Sequence, residues 1–194
     1  MADPQAASGA RPGTASRLPA EAVEVLAEPT VEAGFDALAH QLQPYVADSN
    51  ATLLAVMNGG LVPLVRLIDR LAGDYRVSYC HATRYREARS GSALQWVRRP
   101  HAELQGRRVI VIDDIFDAGL TLAAVRGACI DAGAAEVITA VAFVKDVPRA
   151  PGVIEPDHST GLVLPDRYVF GCGMDLDGRW RQLRGIYALG ESTA

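Results

Sequence analysis

Residues 109–121 read VIVIDDIFDAGLT, an apolar run that ends in two aspartates and continues into a short loop. The apolar run, Arg108 to Ile112, is typical of a buried strand, and the aspartates would stand at its end. Leu120 to Ile130 follows as an Ala-rich helix, which Gly133 ends as its C-terminal glycine. The stretch therefore predicts a strand, a loop and a helix in succession.

Short apolar runs alternate with helical segments over much of the chain, a pattern that predicts buried parallel strands joined by crossover helices. Further strands or strand-like pieces are predicted at Thr52 to Met57, Tyr75 to Thr83, Glu136 to Val144, Leu162 to Leu164, Tyr168 to Phe170 and Gly185 to Leu189. Helices are predicted at Glu21 to Leu26, at Val31 to Val46 with Thr30 as N-cap, and from Leu61 to Leu71. The predicted fold class is α/β, with an open, mainly parallel sheet flanked by helices.

The division of the chain follows from the same patterns. Residues 1–18 have no periodic apolar pattern, so we expect a disordered tail ahead of a single domain, 19–194. Elements from about 19–50 and 161–194 are expected to form a small hood lobe beside the main sheet. The segment Arg84 to Arg99 is polar and basic, which predicts a mobile loop or hairpin arm.

The composition excludes several classes of protein. With 194 residues, 49% hydrophobic and 22% charged, the chain suits one globular domain with a packed core. A formal net charge of -4 attracts no polyanion, so we expect no nucleic acid partner. No apolar run approaches the ~18 residues of a membrane span, so no membrane partner is expected. Three widely spaced cysteines argue against a disulfide framework and favour the cytoplasm, and the four histidines have no metal-ligand spacing.

Polar side chains at strand ends carry the chemistry, because ligands of open parallel sheets bind outside the carboxyl ends of the strands. After Asp113 and Asp114, the loop to Thr121 offers backbone N–H groups, a hydroxyl and a helix N-terminus to a phosphate. The two carboxylates suit ribose hydroxyls or Mg²⁺, which predicts a sugar phosphate site. A lone pair of aspartates would more often be strand-end acids that cap a helix.

The complete string resembles the binding motif for phosphoribosyl diphosphate (PRPP) of type I phosphoribosyltransferases. That motif has four hydrophobic residues, two acids, two variable residues, Asp-Thr-Gly, and a Thr two positions on. The resemblance implies that PRPP is bound by Asp113, Asp114, Asp117, Ala118, Gly119, Leu120 and Thr121. Ala118 departs from the usual Thr, and the loss of one hydroxyl should weaken binding by roughly 0.5 to 1.5 kcal/mol.

Downstream motifs resemble hypoxanthine-guanine phosphoribosyltransferases. They are FVK at 143–145, PDRYVFG at 165–171, Met174-Asp175 and Arg181, and the similarity runs from about Leu53 to Tyr187. The resemblance implies the type I phosphoribosyltransferase fold and a homodimer or homotetramer. It also implies purine salvage with Mg²⁺, in which the 5-phosphoribosyl group of PRPP passes to hypoxanthine or guanine, giving IMP or GMP and pyrophosphate.

The same resemblance assigns the purine site. Lys145 would donate a hydrogen bond to the purine 6-oxo group, because an ammonium donates and cannot accept. Tyr168 would stack on the base, and Val169 would contact the base edge through its backbone. Without the resemblance, Lys145 would be a solvated lysine at a strand end.

The resemblance also assigns the pyrophosphate and metal sites. Asn58 and Gly59 match the pyrophosphate loop, in which many members carry Lys at the position of Asn58. Arg181 would pair with pyrophosphate, and Asp175 would bind Mg²⁺ together with Asp113 and Asp114. Taken alone, Arg181 is a solvated surface charge, and Asp175 is a turn former.

Asp117 is the predicted catalytic residue. The matching acid of the family lies near purine N7, where a carboxylate can manage the proton and stabilise positive charge on the ribose. Arg84 and Tyr85 correspond to the Ser-Tyr pair of the family's mobile lid, which excludes water.

Two alternatives stay open. The departures at Asn58, Ala118 and Arg84 permit a regulatory homologue that keeps the PRPP site and binds RNA or another protein. The second alternative is the same reaction on xanthine or another base.

Overall fold

Nine strands and three α-helices make up the computed structural model, which describes residues 18–47, 49–84 and 94–190. The strands are β1 (Ala22–Leu26), β2 (Ala51–Met57), β3 (Arg76–Arg84), β4 (Leu94–Arg98), β5 (Arg108–Phe116), β6 (Glu136–Lys145), β7 (His158–Leu164), β8 (Val169–Phe170) and β9 (Ile186–Leu189). The helices are α1 (Glu28–Leu42), α2 (Leu61–Ile68) and α3 (Leu120–Asp131).

Six strands form the main sheet in the order β4-β3-β2-β5-β6-β7. All neighbours in it are parallel except β3 and β4, which form an antiparallel pair at one edge. The second sheet, which we call the hood sheet, has the order β1-β9-β8 and is antiparallel. The α/β class with a mainly parallel central sheet is therefore confirmed.

The core lies on both faces of the main sheet and fixes the central strand. Successive residues of β5 point to opposite faces, so Ile110 and Ile112 join the cluster under α1 and α2. Val109 and Val111 join the cluster under α3. All four side chains are almost fully buried. This double-sided packing holds the carboxyl end of β5 in place, where the candidate site lies.

Two expectations for the N-terminal region are wrong. Residues 21–26 were expected to be helical, but Ala22–Leu26 is a strand that pairs antiparallel with β9. A short apolar segment carries too weak a helical preference to resist this pairing with a distant strand. The helix that follows begins at Glu28, with Ala27 as its N-cap, so Thr30 lies inside its first turn.

Two boundaries and one sheet assignment also differ from the predictions. Helix α2 ends at Ile68, before the expected Leu71. Strand β5 continues through both aspartates to Phe116, because its pairing with β6 extends that far. Strand β7 belongs to the main sheet, next to β6, and α1 packs against it. The division into a tail and one domain stays a prediction, and residues 1–17 lie outside the described part of the chain.

In the described ranges, none of the helices has the length and apolar character needed to cross a membrane.

Candidate active site

Two neighbouring cavities open at the carboxyl end of β5. The first, of about 270 Å³, is lined by residues 113–122 together with Met57 and Gly59, and we call it the loop cavity. The second, of about 250 Å³, contains Lys145 in its lining, and we call it the lysine cavity. Asp114, Ile115 and Asp117 line both. The end of β5 is therefore the wall that the two cavities share.

Residues 117–121, which are predicted to bind phosphate and which we call the phosphate loop, line one side of the loop cavity. Gly119 is the N-cap of α3 and has a φ of +81°, a conformation that favours glycine. A Cβ at this position would lie 2.2 Å from Cγ1 of Val153, so the close packing also requires glycine. Gly119 has no side chain that could cap α3, and the N–H groups in the first turn of a helix are suited to bind an anion.

The two aspartates of β5 occupy different environments. Asp113 is buried, with 7% of its surface exposed, whereas Asp114 is partly exposed. The backbone N–H of Asp114 donates to Oδ1 of Asp113 at 2.9 Å, and that of Ile115 donates to Oδ1 of Asp114 at 2.8 Å. The sequence predicts the aspartates at the end of the strand, and this is wrong for Asp113. Strand β5 continues past Asp113, and the side chain of Asp113 is buried.

Burial also changes the acidity of both groups. Loss of solvation raises the pKa of Asp113 well above its usual range, and the adjacent charge of Asp114 adds to the rise. Burial also raises the pKa of Asp114, although the nearby Arg181 guanidinium opposes this.

The turn after β2 meets Asp114 directly. A Cβ on Gly59 would lie 2.0 Å from Oδ2 of Asp114, so only glycine allows this approach. The peptide bond between Met57 and Asn58 is cis, and the Asn58 side chain is exposed. The residues predicted for pyrophosphate and those predicted for ribose are thus brought together.

Arg181 and Asp175 are paired with each other. Nη2 of Arg181 donates to Oδ1 of Asp175 at 2.7 Å, and Nη1 donates to the carbonyl of Gly173 at 2.5 Å. Oδ2 of Asp175 accepts the N–H of Gly178 at 2.8 Å, so Asp175 also acts as a turn former. Asp175 lines the lysine cavity, which places this pair beside the shared wall.

Three residues predicted for the purine line the lysine cavity: Lys145, Tyr168 and Val169. The Lys145 side chain is 16% exposed, and its Nζ lies 3.1 Å from Oδ1 of Asp166. Tyr168 is 42% exposed, whereas Val169 is buried in β8. A partly buried ammonium and a half-exposed aromatic ring in the lining of one cavity suit a flat polar ring such as a purine.

Two residues in this region were quoted within a motif but given no role. Asp166 holds Lys145, and Arg167 lines the lysine cavity while donating to the carbonyl of Leu189. Their charge inside an otherwise apolar motif was the signal that could have identified them.

The remaining predicted residues are Asp117 and the lid residues Arg84 and Tyr85. Asp117 is exposed and lines both cavities, which is the position a group acting between phosphate and base requires. Arg84 is the last residue of β3, and Tyr85 lies outside the described residues, so the lid stays a prediction.

The donor set fits a metal ion that arrives with a substrate. Within the described residues, no three His, Cys, Asp or Glu side chains converge as a preformed metal site. Mg²⁺ is commonly held by one or two carboxylates, substrate phosphates and water. Asp175, partly exposed at the cavity, can supply one such carboxylate. The metal roles of Asp113 and Asp114 stay predictions.

Comparisons with known proteins agree with this geometry. The family model described as "Phosphoribosyl transferase domain" matches residues 21–177. The hypoxanthine-guanine-xanthine phosphoribosyltransferase of Tritrichomonas foetus is 26% identical over 156 residues, 80% of this chain and 85% of that protein. The hypoxanthine phosphoribosyltransferase of Escherichia coli strain K12 is 26% identical over 172 residues, 83% of this chain and 92% of that protein.

Solved structures match the fold. A hypoxanthine phosphoribosyltransferase from Staphylococcus aureus has a TM-score of 0.77 at 20% identity, covering 86% of this chain and 90% of that one. The enzyme of that name from Trypanosoma cruzi, in complex with the product IMP, has a TM-score of 0.76 at 21% identity, covering 92% and 100%. The resemblance inferred from the motifs is confirmed.

Proposed function

We propose that this chain, which belongs to the phosphoribosyl transferase domain family, transfers the 5-phosphoribosyl group of PRPP to hypoxanthine or guanine. The products would be IMP or GMP and pyrophosphate. The observation that carries the proposal is the shared wall of the two cavities. A phosphate loop lines one cavity, a lysine and an exposed tyrosine line the other, and Asp117 lines both. A nucleoside monophosphate has a phosphate at one end and a base at the other, so it needs two adjoining cavities of these two kinds.

The phosphate loop would hold the 5-phosphate of PRPP. Its N–H groups lie at the N-terminus of α3, where the helix dipole favours an anion. Asp113 and Asp114 lie in β5, directly before the phosphate loop in the chain, and would bind the ribose hydroxyls. Gly59 lets the turn after β2 approach Asp114, and this turn would hold the pyrophosphate next to the ribose.

Asp117 would act where the new bond forms. Positive charge develops on the purine as N9 forms its bond to ribose C1. The Asp117 carboxylate can remove this charge by accepting the proton of N7. The same carboxylate can stabilise positive charge on the ribose while pyrophosphate departs. When bound, Mg²⁺ would neutralise the charge of that pyrophosphate, with Asp175 as a ligand and Arg181 as a further cation nearby.

Lys145 would select the base. Its ammonium can donate to the 6-oxo group of hypoxanthine or guanine, but it meets only donors on the 6-amino group of adenine. Asp166 orients the ammonium at 3.1 Å. An ammonium N–H that faces the base without an acceptor costs about 1 to 3 kcal/mol, so adenine should be a poor substrate.

Two further features belong to the proposal. We propose a homodimer or homotetramer, as the family resemblance implies. We also propose a cytoplasmic location, because Cys80, Cys129 and Cys172 are buried free thiols, as a reducing compartment permits.

The direct test measures nucleotide formation from PRPP and Mg²⁺ with hypoxanthine, guanine, xanthine and adenine. We expect turnover with hypoxanthine or guanine and none above background with adenine. The variant Lys145→Gln should lose turnover of hypoxanthine by roughly 10-fold to 100-fold and keep PRPP binding. PRPP binding without turnover of any base would contradict the enzyme and favour a regulatory protein. Turnover confined to xanthine would contradict the proposed base preference.

A further inference from the structure

Arg149 donates hydrogen bonds to the backbone of residues that line the two cavities. Its Nη1 donates to the carbonyls of Lys145 and Val147, both at 2.8 Å, and to the carbonyl of Asp117 at 3.4 Å. Lys145 is the last residue of β6, and Asp117 is the first residue of the phosphate loop. One guanidinium group therefore joins the backbone of the lysine cavity to the backbone of the loop cavity.

Other contacts hold this guanidinium in a single place. Its Nε donates to Oε1 of Glu155 at 2.9 Å, and its central carbon lies 4.7 Å from the ring centre of the buried Phe116. The Arg149 side chain is 22% exposed. A guanidinium that stacks on a ring and makes charge-assisted hydrogen bonds is rigid, and Lys cannot reproduce its planar fork.

The backbone around Arg149 adds to the same link. The N–H of Ala150 donates to the carbonyl of Ala118 at 3.1 Å, within the phosphate loop. Val153 packs where a side chain on Gly119 would lie. The segment 145–153 thus forms a support under the loop, and Arg149 is the side chain that ties it to the loop and to β6.

We propose that Arg149 is a positioning residue that fixes the separation of the phosphate and purine subsites. The inference rests on the proposed function, because it concerns the ligand that spans both cavities. Arg149 contacts the two subsites through their backbone carbonyls, so it acts on the ligand through Lys145 and Asp117. The side chain of Arg149 should therefore contribute most to the binding of a ligand that occupies both cavities at the same time.

This role makes a specific prediction about ligands. A molecule that fills one cavity needs only that cavity to be intact, whereas IMP needs both at the correct distance. A misplacement of about 1 Å at a reacting site can cost on the order of 10²-fold, so a loosened support should affect IMP far more than its parts. A general loss of folded protein would weaken all ligands equally.

The experiment measures dissociation constants for IMP, hypoxanthine and ribose 5-phosphate by competition against labelled IMP. In Arg149→Met, we expect the IMP constant to rise by about 30-fold to 100-fold and each fragment constant by less than about 3-fold. Arg149→Lys should show the same pattern at smaller size, and it serves if Arg149→Met fails to fold. The matched control is Arg108→Met, which removes a guanidinium paired with Glu136 at 2.6 Å at the amino end of β5. It should change no constant.

Several outcomes would overturn the proposal. Equal weakening of all three ligands would show that Arg149 only stabilises the fold. Unchanged IMP binding in both Arg149 variants would show that the backbone contacts alone hold the subsites. Failure of the wild-type protein to bind IMP would instead reject the proposed function, and this inference with it.

Discussion

The end of β5 and the turn region 171–184 both contribute charged residues to the candidate site, but they are built differently. Strand β5 packs on both faces and pairs on both edges, so its aspartates take their positions from the sheet. The turn region contains Asp177 and Trp180 at positive φ and is held by hydrogen bonds such as that between Arg181 and Gly173. The first region has a fixed frame, and the second depends on individual side-chain contacts. Substitutions should therefore damage the two regions in different ways.

The largest effect is expected from Asp117, where the frame of β5 presents the reacting group. Asp117→Asn keeps the size of the side chain and removes the proton acceptor. We expect the single-turnover rate to fall on the order of 10²-fold or more, a larger effect than the weakening of PRPP binding. Single-turnover rates close to wild type would remove Asp117 from the chemistry.

A smaller but still large effect is expected where β2 approaches β5. Gly59→Ala would place a Cβ 2.0 Å from Oδ2 of Asp114, so one of the two must move. We expect kcat/KM for PRPP to fall about 10-fold to 100-fold. The control is Gly127→Ala in α3, where a Cβ meets no atom within 4 Å and should stabilise the helix by up to about 1 kcal/mol. Equal activity of the two variants would show that the Asp114 contact does not matter.

In the turn region, removal of one side chain should act on pyrophosphate more than on the base. Arg181→Met deletes the cation that pairs with Asp175 at 2.7 Å. A hydrogen bond to a charged group contributes about 1.5 to 3 kcal/mol, so the KM for PRPP should rise about 10-fold or more. The KM for hypoxanthine should stay within a factor of about 2 by the same reasoning, since Arg181 does not line the lysine cavity.

Arg184→Met is the matched control for this region, because Arg184 pairs with Glu28 at 2.6 Å at an exposed position. It should leave both KM values unchanged. If it raises the KM for PRPP as much as Arg181→Met does, the effect comes from the turn as a whole and the role of Arg181 is wrong.

The smallest effect concerns stability and distinguishes the two aspartates of β5. The raised pKa of Asp113 means that the folded protein binds this proton more tightly than the unfolded chain. Ionisation of Asp113 therefore opposes folding as the pH rises above the usual pKa of 3.8. Asp113→Asn removes that cost, and its amide oxygen can still accept the N–H of Asp114.

We expect Asp113→Asn to have a higher Tm than wild type at pH 7, with the difference lost near the usual pKa of 3.8. Thermal denaturation across this pH range measures it. A lower Tm of the variant at pH 7 would show that the charged form of Asp113 stabilises the fold. Asp114→Asn should give a smaller difference in Tm, because the nearby Arg181 guanidinium opposes the rise in the pKa of Asp114.

The same contrast decides how much of the site could be predicted from the sequence. Strand β5 could be predicted because its apolar run is short, consists of β-branched residues and is flanked by polar ones, which together favour a buried strand over a helix. The different burial of Asp113 and Asp114 could not, since it depends on which chain segments cover each face. The pairing of Arg181 with Asp175 and most contacts of Arg149 join residues six or fewer positions apart, but they depend on irregular turns that no apolar pattern predicts. Residues 22–26 were mistaken for a helix because their partner, β9, lies at the other end of the chain.

The central claim is that one nucleoside monophosphate spans the two cavities that share the end of β5. A crystal structure of the protein with IMP tests it most directly. We expect the 5-phosphate on the N–H groups of residues 117–121, and the 6-oxo group within hydrogen-bond distance of Nζ of Lys145. The Asp117 carboxylate should lie near N7. IMP bound with its base away from Lys145, or with its phosphate outside the phosphate loop, would contradict the account.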